Sequence, residues 1–462
     1  MRLAWQSGLA TVALLALLAA DAQPQAAKQK TSKTKTTAKS TKAAAKSKPA
    51  AKNKAAAKEP ANVVNVKPAE FVARSLAAGA AIPVENPAAL VPFFEQLYRH
   101  QRGELPGPVR VLQYGDSHTA ADEFSGELRN LFQASFGDGG SGFSFAGKPW
   151  TGYRRRDVKT GSTKGWHTDG LVTRQGGDGV YGLGGVSMTA TAPRETVFIE
   201  ADAQEFELFY YQQPGGGGLQ LLDSGVPLDL ISTSGEAGPG YYRVQAIPGP
   251  HRFELETTES GPVRLFGWVA ENATGITYET FGINGAQATT IHQWEPATLR
   301  ANLLHRSPDM IVLAYGTNEA GSSSWTVDSY EKMFADLLRQ FRLAAPTASI
   351  LVLGPPDRSQ RIRRQWQTMS RIGIIAEAQR RAALEMGCAF VDLRAEMGGA
   401  GSMLEWVKAG EAQADHVHFT TSGYRLLGDA VYADLMSQYR KFLDVRATIM
   451  AEGARTGSKD PE

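Results

Sequence analysis

The sequence has almost no cysteine and no long apolar segment, and both absences narrow the class of protein. Cys388 is the single cysteine among 462 residues. An intrachain disulfide is therefore excluded, and packing of the core must stabilise the fold. The longest apolar run, from Leu9 to Ala20, has about twelve residues, whereas a membrane-spanning helix needs about twenty. A permanent membrane anchor is thus the less favoured interpretation of this run.

The order of features at the N-terminus is typical of a secretory signal peptide. Arg2 precedes the apolar run, and Ala20-Asp21-Ala22 offers a small-x-small cleavage site. We therefore expect a signal peptide over residues 1–22 and export, to the periplasm of a bacterium. An uncleaved anchor is the alternative.

Acidic residues are missing from the segment that follows. Lys28 to Lys58 contains eleven lysines and no Asp or Glu. Such a composition cannot bury enough apolar surface to offset the loss of backbone entropy, so residues 23–65 are expected to be a disordered linker. Its charge could attract the linker to a cell wall or membrane surface, or it could be a solubilising spacer.

The rest of the chain has the opposite charge. Without residues 1–59, 37 Lys and Arg stand against 45 Asp and Glu, a net charge of −8. This balance argues against a nucleic-acid-binding protein.

Short apolar runs alternate with helical periodicity through most of the chain, which predicts an α/β fold with a parallel sheet covered on both faces. The predicted buried strands are Val109–Tyr114, Met310–Ala314, Ile350–Leu353 and Phe390–Leu393. The predicted helices are Pro87–Arg102, Ala121–Ser135, Val327–Leu343, Met369–Met386 and Thr421–Phe442.

One segment breaks this rhythm. Residues 150–272 alternate with period two and are punctuated by glycine- and proline-rich turns, which predicts an inserted all-β sandwich. The α/β domain would then comprise residues 66–149 and 273–445, and a disordered tail would follow at 446–462. The sandwich could bind carbohydrate or be purely structural.

Ser117 is the candidate nucleophile, although Gly-Asp-Ser alone also fits an ordinary helix-capping serine. It follows the first buried strand and precedes a helix, at the sheet edge where open α/β folds bind ligands. The adjacent Asp116 and His118 are poor partners, because three successive side chains on such a turn diverge. Asp415 and His418 are better placed: at three residues' spacing, the carboxylate can hold one imidazole nitrogen and leave the other to take a proton.

Two further stretches could supply donors to an oxyanion. Phe281 to Gln287 contains glycines whose N–H groups can approach a substrate closely. Ala314 to Asn318 follows a predicted strand and presents a side-chain amide at the same edge of the sheet.

These blocks, in this order, resemble the SGNH/GDSL hydrolases. The likeness is closest to the bacterial peptidoglycan O-acetylesterases and rests on "GDSHTAADEF", "GINGAQATT", "YGTNEA" and "HVHFTTSGY". It implies an SGNH-type (flavodoxin-like) three-layer fold with a carbohydrate-module-like sandwich inserted. The residue roles that it implies are Ser117 as nucleophile, His418 as base, Asp415 as the group that orients it, and the Ser117 N–H, Gly285 and Asn318 as the oxyanion hole.

The resulting hypothesis is a serine esterase that removes O-acetyl groups from cell-wall glycan, expected to be O-acetylated peptidoglycan, without a metal or an organic cofactor. An acetyltransferase that acts on polysaccharide with the same residues is the alternative, as is another carbohydrate acetylesterase. A non-catalytic wall-binding protein is a third class, disfavoured because a binder has no need of the complete set.

Three other sequence patterns have both a functional and a purely structural interpretation. His416 and His418 could form part of a metal site, but no third ligand follows at suitable spacing. Arg358, Arg361, Arg363 and Arg364, with Trp366, could grip carboxylates of the substrate or form a solvated loop. The glycines of residues 137–142 are expected to form a tight loop beside the active site rather than a dinucleotide site.

Overall fold

The computed structural model describes residues 67–79, 84–170 and 177–457. The signal peptide and the lysine-rich linker expected over residues 1–65 lie outside these residues. The helices are α1 (Pro68–Gly79), α2 (Val91–Gln101), α3 (Ser117–Ala120), α4 (Phe124–Phe136), α5 (Pro296–Arg306), α6 (Val327–Ala344), α7 (Arg371–Glu385), α8 (Leu393–Glu396), α9 (Ser402–Ala409) and α10 (Thr421–Gly457). Short 3-10 helices lie at Pro87–Leu90, Ala288–Gln293 and Glu319–Gly321.

Eighteen strands are present in the described part of the chain. They are β1 (Val109–Gly115), β2 (Gly142–Ser144), β3 (Lys159–Ser162), β4 (His167–Asp169), β5 (Ser187–Ala190), β6 (Thr196–Asp202), β7 (Glu205–Gln212), β8 (Gly218–Asp223), β9 (Val226–Ser232), β10 (Gly238–Gln245), β11 (Pro250–Thr257), β12 (Val263–Glu271), β13 (Ile276–Gly282), β14 (Met310–Ala314), β15 (Ser349–Gly354), β16 (Ser359–Ile362), β17 (Gln365–Thr368) and β18 (Ala389–Asp392).

The central element is a five-stranded parallel sheet in the order β13-β1-β14-β15-β18. Its strands are almost entirely buried on both faces, because helices or the sandwich cover each side. Numbered along the chain, the order is 2-1-3-4-5, which is that of flavodoxin-like folds and places the switch point between β1 and β14. The predicted α/β class with a parallel sheet is confirmed.

The inserted region is a two-layer β-sandwich. One sheet has the order β10-β7-β12-β5-β4, with β2 paired to β12, and the other has the order β3-β6-β11-β8-β9. Side chains from both sheets, such as Ile199, Leu219, Phe253 and Trp268, fill the space between them. Because alternate residues of each strand face this interior, the period-two pattern of the sequence reflects real burial.

The sandwich also packs against the α/β body through aromatic residues. Phe209 and Phe266 of the sandwich share one core with Tyr114 and Phe281 of the parallel sheet. At this junction the His305 ring lies parallel to that of Tyr241, with the ring centroids 3.5 Å apart. The two parts therefore share a continuous hydrophobic core.

Two predicted boundaries differ from the structure. The sandwich begins before residue 150, because β2 pairs with β12 through Trp268 and Ser144. The tail expected from residue 446 is helical to Gly457. The physical reason lies in α2: Arg446 pairs with Glu95 at 2.9 Å and sits over the Tyr98 ring, which ties the helix end to the domain.

The glycine loop of residues 137–142 lies at the end of the sheet opposite to the one that we expected. Gly137 ends α4, and Gly139 donates a backbone hydrogen bond to Ile276 at the start of β13. Because Ser117 follows the opposite end of the paired strand β1, the loop lies at the amino edge of the sheet and not beside the candidate active site.

None of the helices in the described residues has the length and apolarity that crossing a membrane requires.

Candidate active site

The turn between β1 and α3 positions Ser117 at the carboxyl edge of the sheet. Asp116 caps α3, and its carboxylate accepts the His118 N–H at 3.0 Å. A Cβ at Gly115 would lie 2.1 Å from the Thr119 hydroxyl, so only glycine allows this tight turn. As the first residue of α3, Ser117 has an N–H without an intrahelical acceptor, which leaves it directed outward.

Ser117, His418 and Asp415 form a continuous hydrogen-bonded chain. The Ser117 hydroxyl lies 2.9 Å from Nε2 of His418, and Nδ1 of His418 lies 2.7 Å from Oδ2 of Asp415. A carboxylate can only accept, so Nδ1 carries the proton and Nε2 is free to accept from the serine. The structure thus brings together residues that are up to 301 positions apart along the chain.

The other oxygen of Asp415 holds the loop in shape. Oδ1 accepts the backbone N–H groups of Val417 at 2.9 Å and His418 at 3.0 Å. Burial raises the pKa of Asp415, but the hydrogen bonds from the His418 ring and these two amides outweigh it, so the pKa is lowered from its usual value. The group is consequently an anion over the whole neutral range.

Register in the sheet brings the two candidate oxyanion loops to the serine. Gly115, the last residue of β1, lies between Gly282 of β13 and Ala314 of β14. The loop with Gly285 follows the first of these neighbours, and the loop with Asn318 follows the second. Both flank the Ser117 turn for this reason.

Each loop has a feature suited to donating to an oxyanion. Gly285 has a φ of 79°, a left-handed conformation that glycine adopts without strain. The Asn318 amide donates to the Ala286 carbonyl at 2.8 Å, which joins the two loops and fixes the plane of the amide. One amide hydrogen is then left for a ligand.

Glu319 is a positioning residue that the sequence reasoning missed. Its buried carboxylate accepts from the Ala288 N–H at 2.8 Å and the Gly316 N–H at 3.1 Å, and so links the same two loops. The Tyr330 hydroxyl donates to it as well, at 3.0 Å. Its place directly after Gly-Thr-Asn was the only available signal, because all three partners are distant in the chain or are backbone groups.

The residues next to the serine are part of its support. The ring of His118 faces Tyr424, with Nδ1 3.0 Å from the hydroxyl. Burial, together with the nearby His418 and Arg358, lowers the pKa of His118 to about 3, so His118 is neutral at physiological pH. Burial raises the pKa of Asp116 to about 7, against the opposing effect of the His118 N–H. Neither Asp116 nor His118 takes the place of Asp415 or His418.

The arginine-rich segment forms a hairpin beside the triad. Strands β16 and β17 pair directly, and Ser359 donates its backbone N–H to the carbonyl of His416 at 3.0 Å. The ring of His416 stacks on Trp366, with centroids 3.9 Å apart. Arg358 is set apart from the rest of the segment: it is half-buried and donates to the Thr317 carbonyl at 2.6 Å.

Within the described residues, no three His, Cys, Asp or Glu side chains cluster as a metal site would require.

The comparisons with known proteins agree with this architecture. The model of the GDSL-like lipase/acylhydrolase family matches residues 249–426, which include Gly285, Asn318, Asp415 and His418. Ser117 lies before that match, since the sandwich separates it from the rest. A solved structure of a peptidoglycan O-acetylesterase is similar at 28% identity, with a TM-score of 0.66, over 76% of this chain and 96% of that one.

The family match and the structural likeness support an SGNH/GDSL-type esterase.

Weaker likenesses are found among other solved structures. A family two carbohydrate esterase from Clostridium thermocellum, in complex with cellohexaose, has 13% identity and a TM-score of 0.29 over 55% of this chain and 94% of that one. An acetyl xylan esterase has 18% identity and a TM-score of 0.27 over 35% of this chain and 80% of that one. No curated protein sequence matches the chain with significance.

Proposed function

We propose that this esterase removes O-acetyl groups from cell-wall peptidoglycan and that Ser117 carries the acetyl group between two half-reactions. The observation that carries the proposal is the continuous chain from the Ser117 hydroxyl through His418 to Asp415, at 2.9 Å and 2.7 Å. Such a chain activates a serine, and an ordinary helix-capping serine would have no reason to be part of it.

In the first half-reaction the Ser117 oxygen attacks the acetyl carbonyl while Nε2 of His418 takes the hydroxyl proton. Asp415 stabilises the resulting imidazolium through Nδ1. The N–H groups of Ser117 and Gly285 and the free amide hydrogen of Asn318 bind the oxyanion. His418 then returns its proton to the departing sugar oxygen, which leaves an acetyl ester on Ser117.

In the second half-reaction a water molecule attacks the acetyl ester. His418 takes a proton from this water and gives it back to Ser117 as acetate departs. The triad is only partly shielded, with about a third of the His418 side chain and nearly half of the Asp415 side chain exposed. Water therefore has access to the bond that it must cleave, as hydrolysis requires.

The substrate rests on the likeness to the peptidoglycan O-acetylesterase structure. Export fits this substrate, since the wall lies outside the cytoplasmic membrane. The lysine-rich segment would then associate with the anionic wall or membrane surface, and the sandwich would contact glycan. These assignments are parts of the same proposal.

The test is acetate release from O-acetylated peptidoglycan by the wild type and by Ser117→Ala, with chemically de-acetylated peptidoglycan as the control substrate. We expect release by the wild type alone and from the acetylated wall alone. Transfer is monitored in the same reactions by adding an unacetylated glycan acceptor.

The other outcomes discriminate between the alternatives. Acetyl transfer to the acceptor in place of acetate release would identify an acetyltransferase. Hydrolysis of a small activated acetate ester without release from the wall would keep the esterase and reject peptidoglycan. Inactivity on both would favour a wall-binding protein.

A further inference from the structure

The hairpin of β16 and β17 has a charge distribution unlike that of the rest of the domain. From Arg358 to Arg371 the chain contains five arginines and no Asp or Glu, although the chain from residue 60 onward is net acidic. Arg361, Arg363 and Arg364 are exposed. The side chains of these three have no hydrogen-bond or ion-pair partner among the described residues, so no neighbouring group neutralises their charge there.

The residues at the tip of this hairpin are of a type that its backbone conformation disfavours. Ile362 pairs with Gln365, so the connection is the two-residue turn Arg363-Arg364. Both have positive φ, 48° and 70°, as a type I′ turn requires. Such turns favour Asn-Gly, and an L-residue with a large side chain is strained there. Two arginines therefore stand where the fold alone would favour other residues.

The hairpin is anchored directly to the loop that carries the triad. The Ser359 N–H bonds to the His416 carbonyl at 3.0 Å, and the Trp366 indole stacks on the His416 ring. Arg361 is directly opposite Trp366 in the hairpin, so its side chain lies on the same face, the one turned towards His416. Asp415 and His418 flank His416 in the sequence.

We propose that Arg361, Arg363 and Arg364 form a binding site for carboxylate groups of the polymer whose acetyl ester occupies the triad. A guanidinium group binds a carboxylate with two parallel hydrogen bonds, and three such groups beside the triad would hold an acidic polymer in register with Ser117. Arg358 is not part of this site, because it is engaged with the Thr317 carbonyl. The inference rests on the proposed hydrolysis of an acetylated wall polymer and specifies which groups of that polymer are recognised.

The test uses two forms of the same acetylated peptidoglycan. In one the carboxyl groups are free, and in the other they have been converted to primary amides, which removes their charge and keeps the acetyl esters. The variants are Arg361→Gln, the double substitution Arg363→Asn with Arg364→Gly, which restores the favoured turn, and the triple variant that combines them. Arg194→Gly is the matched control, because Arg194 is also an exposed arginine with positive φ, at 65°, but lies in the sandwich between β5 and β6.

We expect kcat/KM on the free-carboxyl wall to fall about tenfold when all three arginines are replaced, through KM, since each exposed ion pair contributes modestly. On the amidated wall and on 4-nitrophenyl acetate the same enzymes should stay within about twofold of the wild type. The tip double variant should melt no lower than the wild type, because the turn is relieved of strain. Salt should weaken the wild type's preference for the free-carboxyl wall and leave the triple variant unaffected.

Two results would overturn the inference. One is an equal loss on both walls, which would mean that the hairpin holds the triad loop in place and does not bind charge. The other is no preference of the wild type for the free-carboxyl wall. If the wild type hydrolyses 4-nitrophenyl acetate but neither wall, the proposed function fails. The arginine site is then tested with two aryl acetates, one with a carboxylate and one without. If the ratio of kcat/KM on these two esters is the same in the variants as in the wild type, the arginine site is rejected.

Discussion

Replacing Asp415 by Asn tests how the triad works, because it removes one charge and leaves the fold of the loop intact. Oδ1 of Asp415 accepts two backbone N–H groups, from Val417 and His418, whereas Oδ2 accepts only the ring N–H. The Asn side chain can keep its oxygen on the two amides. It must then place its NH2 group opposite Nδ1 of His418.

The opposite orientation of the introduced amide is disfavoured. It would turn the NH2 group towards two N–H donors and lose two hydrogen bonds in order to keep one. With each hydrogen bond worth about 1 kcal/mol, the cost of reversing the amide is at least about 1 kcal/mol. The amide of the Asp415→Asn variant therefore donates to Nδ1, which makes Nδ1 an acceptor and puts the ring proton on Nε2.

A histidine in that tautomer cannot take the proton of Ser117. The loss of kcat that follows from the wrong tautomer in a serine-histidine-aspartate triad is about 10⁴-fold. We expect a loss of this order on 4-nitrophenyl acetate, with a melting temperature close to that of the wild type. Asp415→Ala is the matched variant: it should lose similar activity but also unfold more easily, because two backbone amides lose their acceptor. An Asp415→Asn enzyme that keeps more than a tenth of the wild-type kcat would show that Asp415 does not act by fixing the tautomer of His418.

Other contacts in the structure lead to three further predictions. Asn318→Ala should lower kcat by about 10²–10³-fold in steady-state assays, with a small effect on KM, since its amide acts on the oxyanion; a purely KM effect would contradict this role. The carboxyl of Asp116 has a pKa of about 7 in the folded protein, so the wild type loses stability as the pH rises from the pKa of an unfolded aspartate towards 7. In denaturant unfolding, the free energy of unfolding of Asp116→Asn should therefore rise by about 2–3 kcal/mol relative to that of the wild type between about pH 5 and pH 7. A difference between the two proteins that does not change with pH would argue against a buried, titrating carboxyl. Arg129→Met leaves the buried Asp122 without its 2.7 Å ion pair and should lower the free energy of unfolding by about 3–5 kcal/mol in denaturant unfolding. Arg339→Met, which removes an ion pair on the surface, should lower it by less than about 1 kcal/mol. Equal losses in the two variants would contradict the importance of burial.

The parts of the fold that sequence predicted well are those with a strong local pattern. β14 and β15 contain uninterrupted apolar runs, β1 is an apolar run interrupted by Arg110 and Gln113, and α6 has a clear amphipathic period. Strand β13 was missed, because Ile276 to Gly282 contains Thr, Tyr and Glu and so lacks the continuous apolar run of the other predicted strands, although these residues were assigned to the α/β domain. Only pairing with β1 places it in the parallel sheet, and no local pattern records that pairing.

The candidate site was predictable where chemistry depends on a few residue types at fixed spacing. Ser117 and the pair Asp415 and His418 were selected for that reason, and the structure brings them together; their catalytic roles stay predictions. Glu319 was missed because its partners are mainly backbone groups. The hairpin carrying Trp366 was missed because an arginine pair in a type I′ turn does not resemble the usual turn signal.

The proposed mechanism requires that Ser117 itself becomes acetylated, and this can be measured directly. The enzyme is mixed with O-acetylated peptidoglycan and quenched in acid during turnover, and its peptides are measured by mass spectrometry. We expect an acetyl group on the peptide that contains Ser117 in the wild type, and none there in Ser117→Ala, which also releases no acetate. Turnover of the wall with Ser117 unmodified, or acetate release by Ser117→Ala, would contradict it.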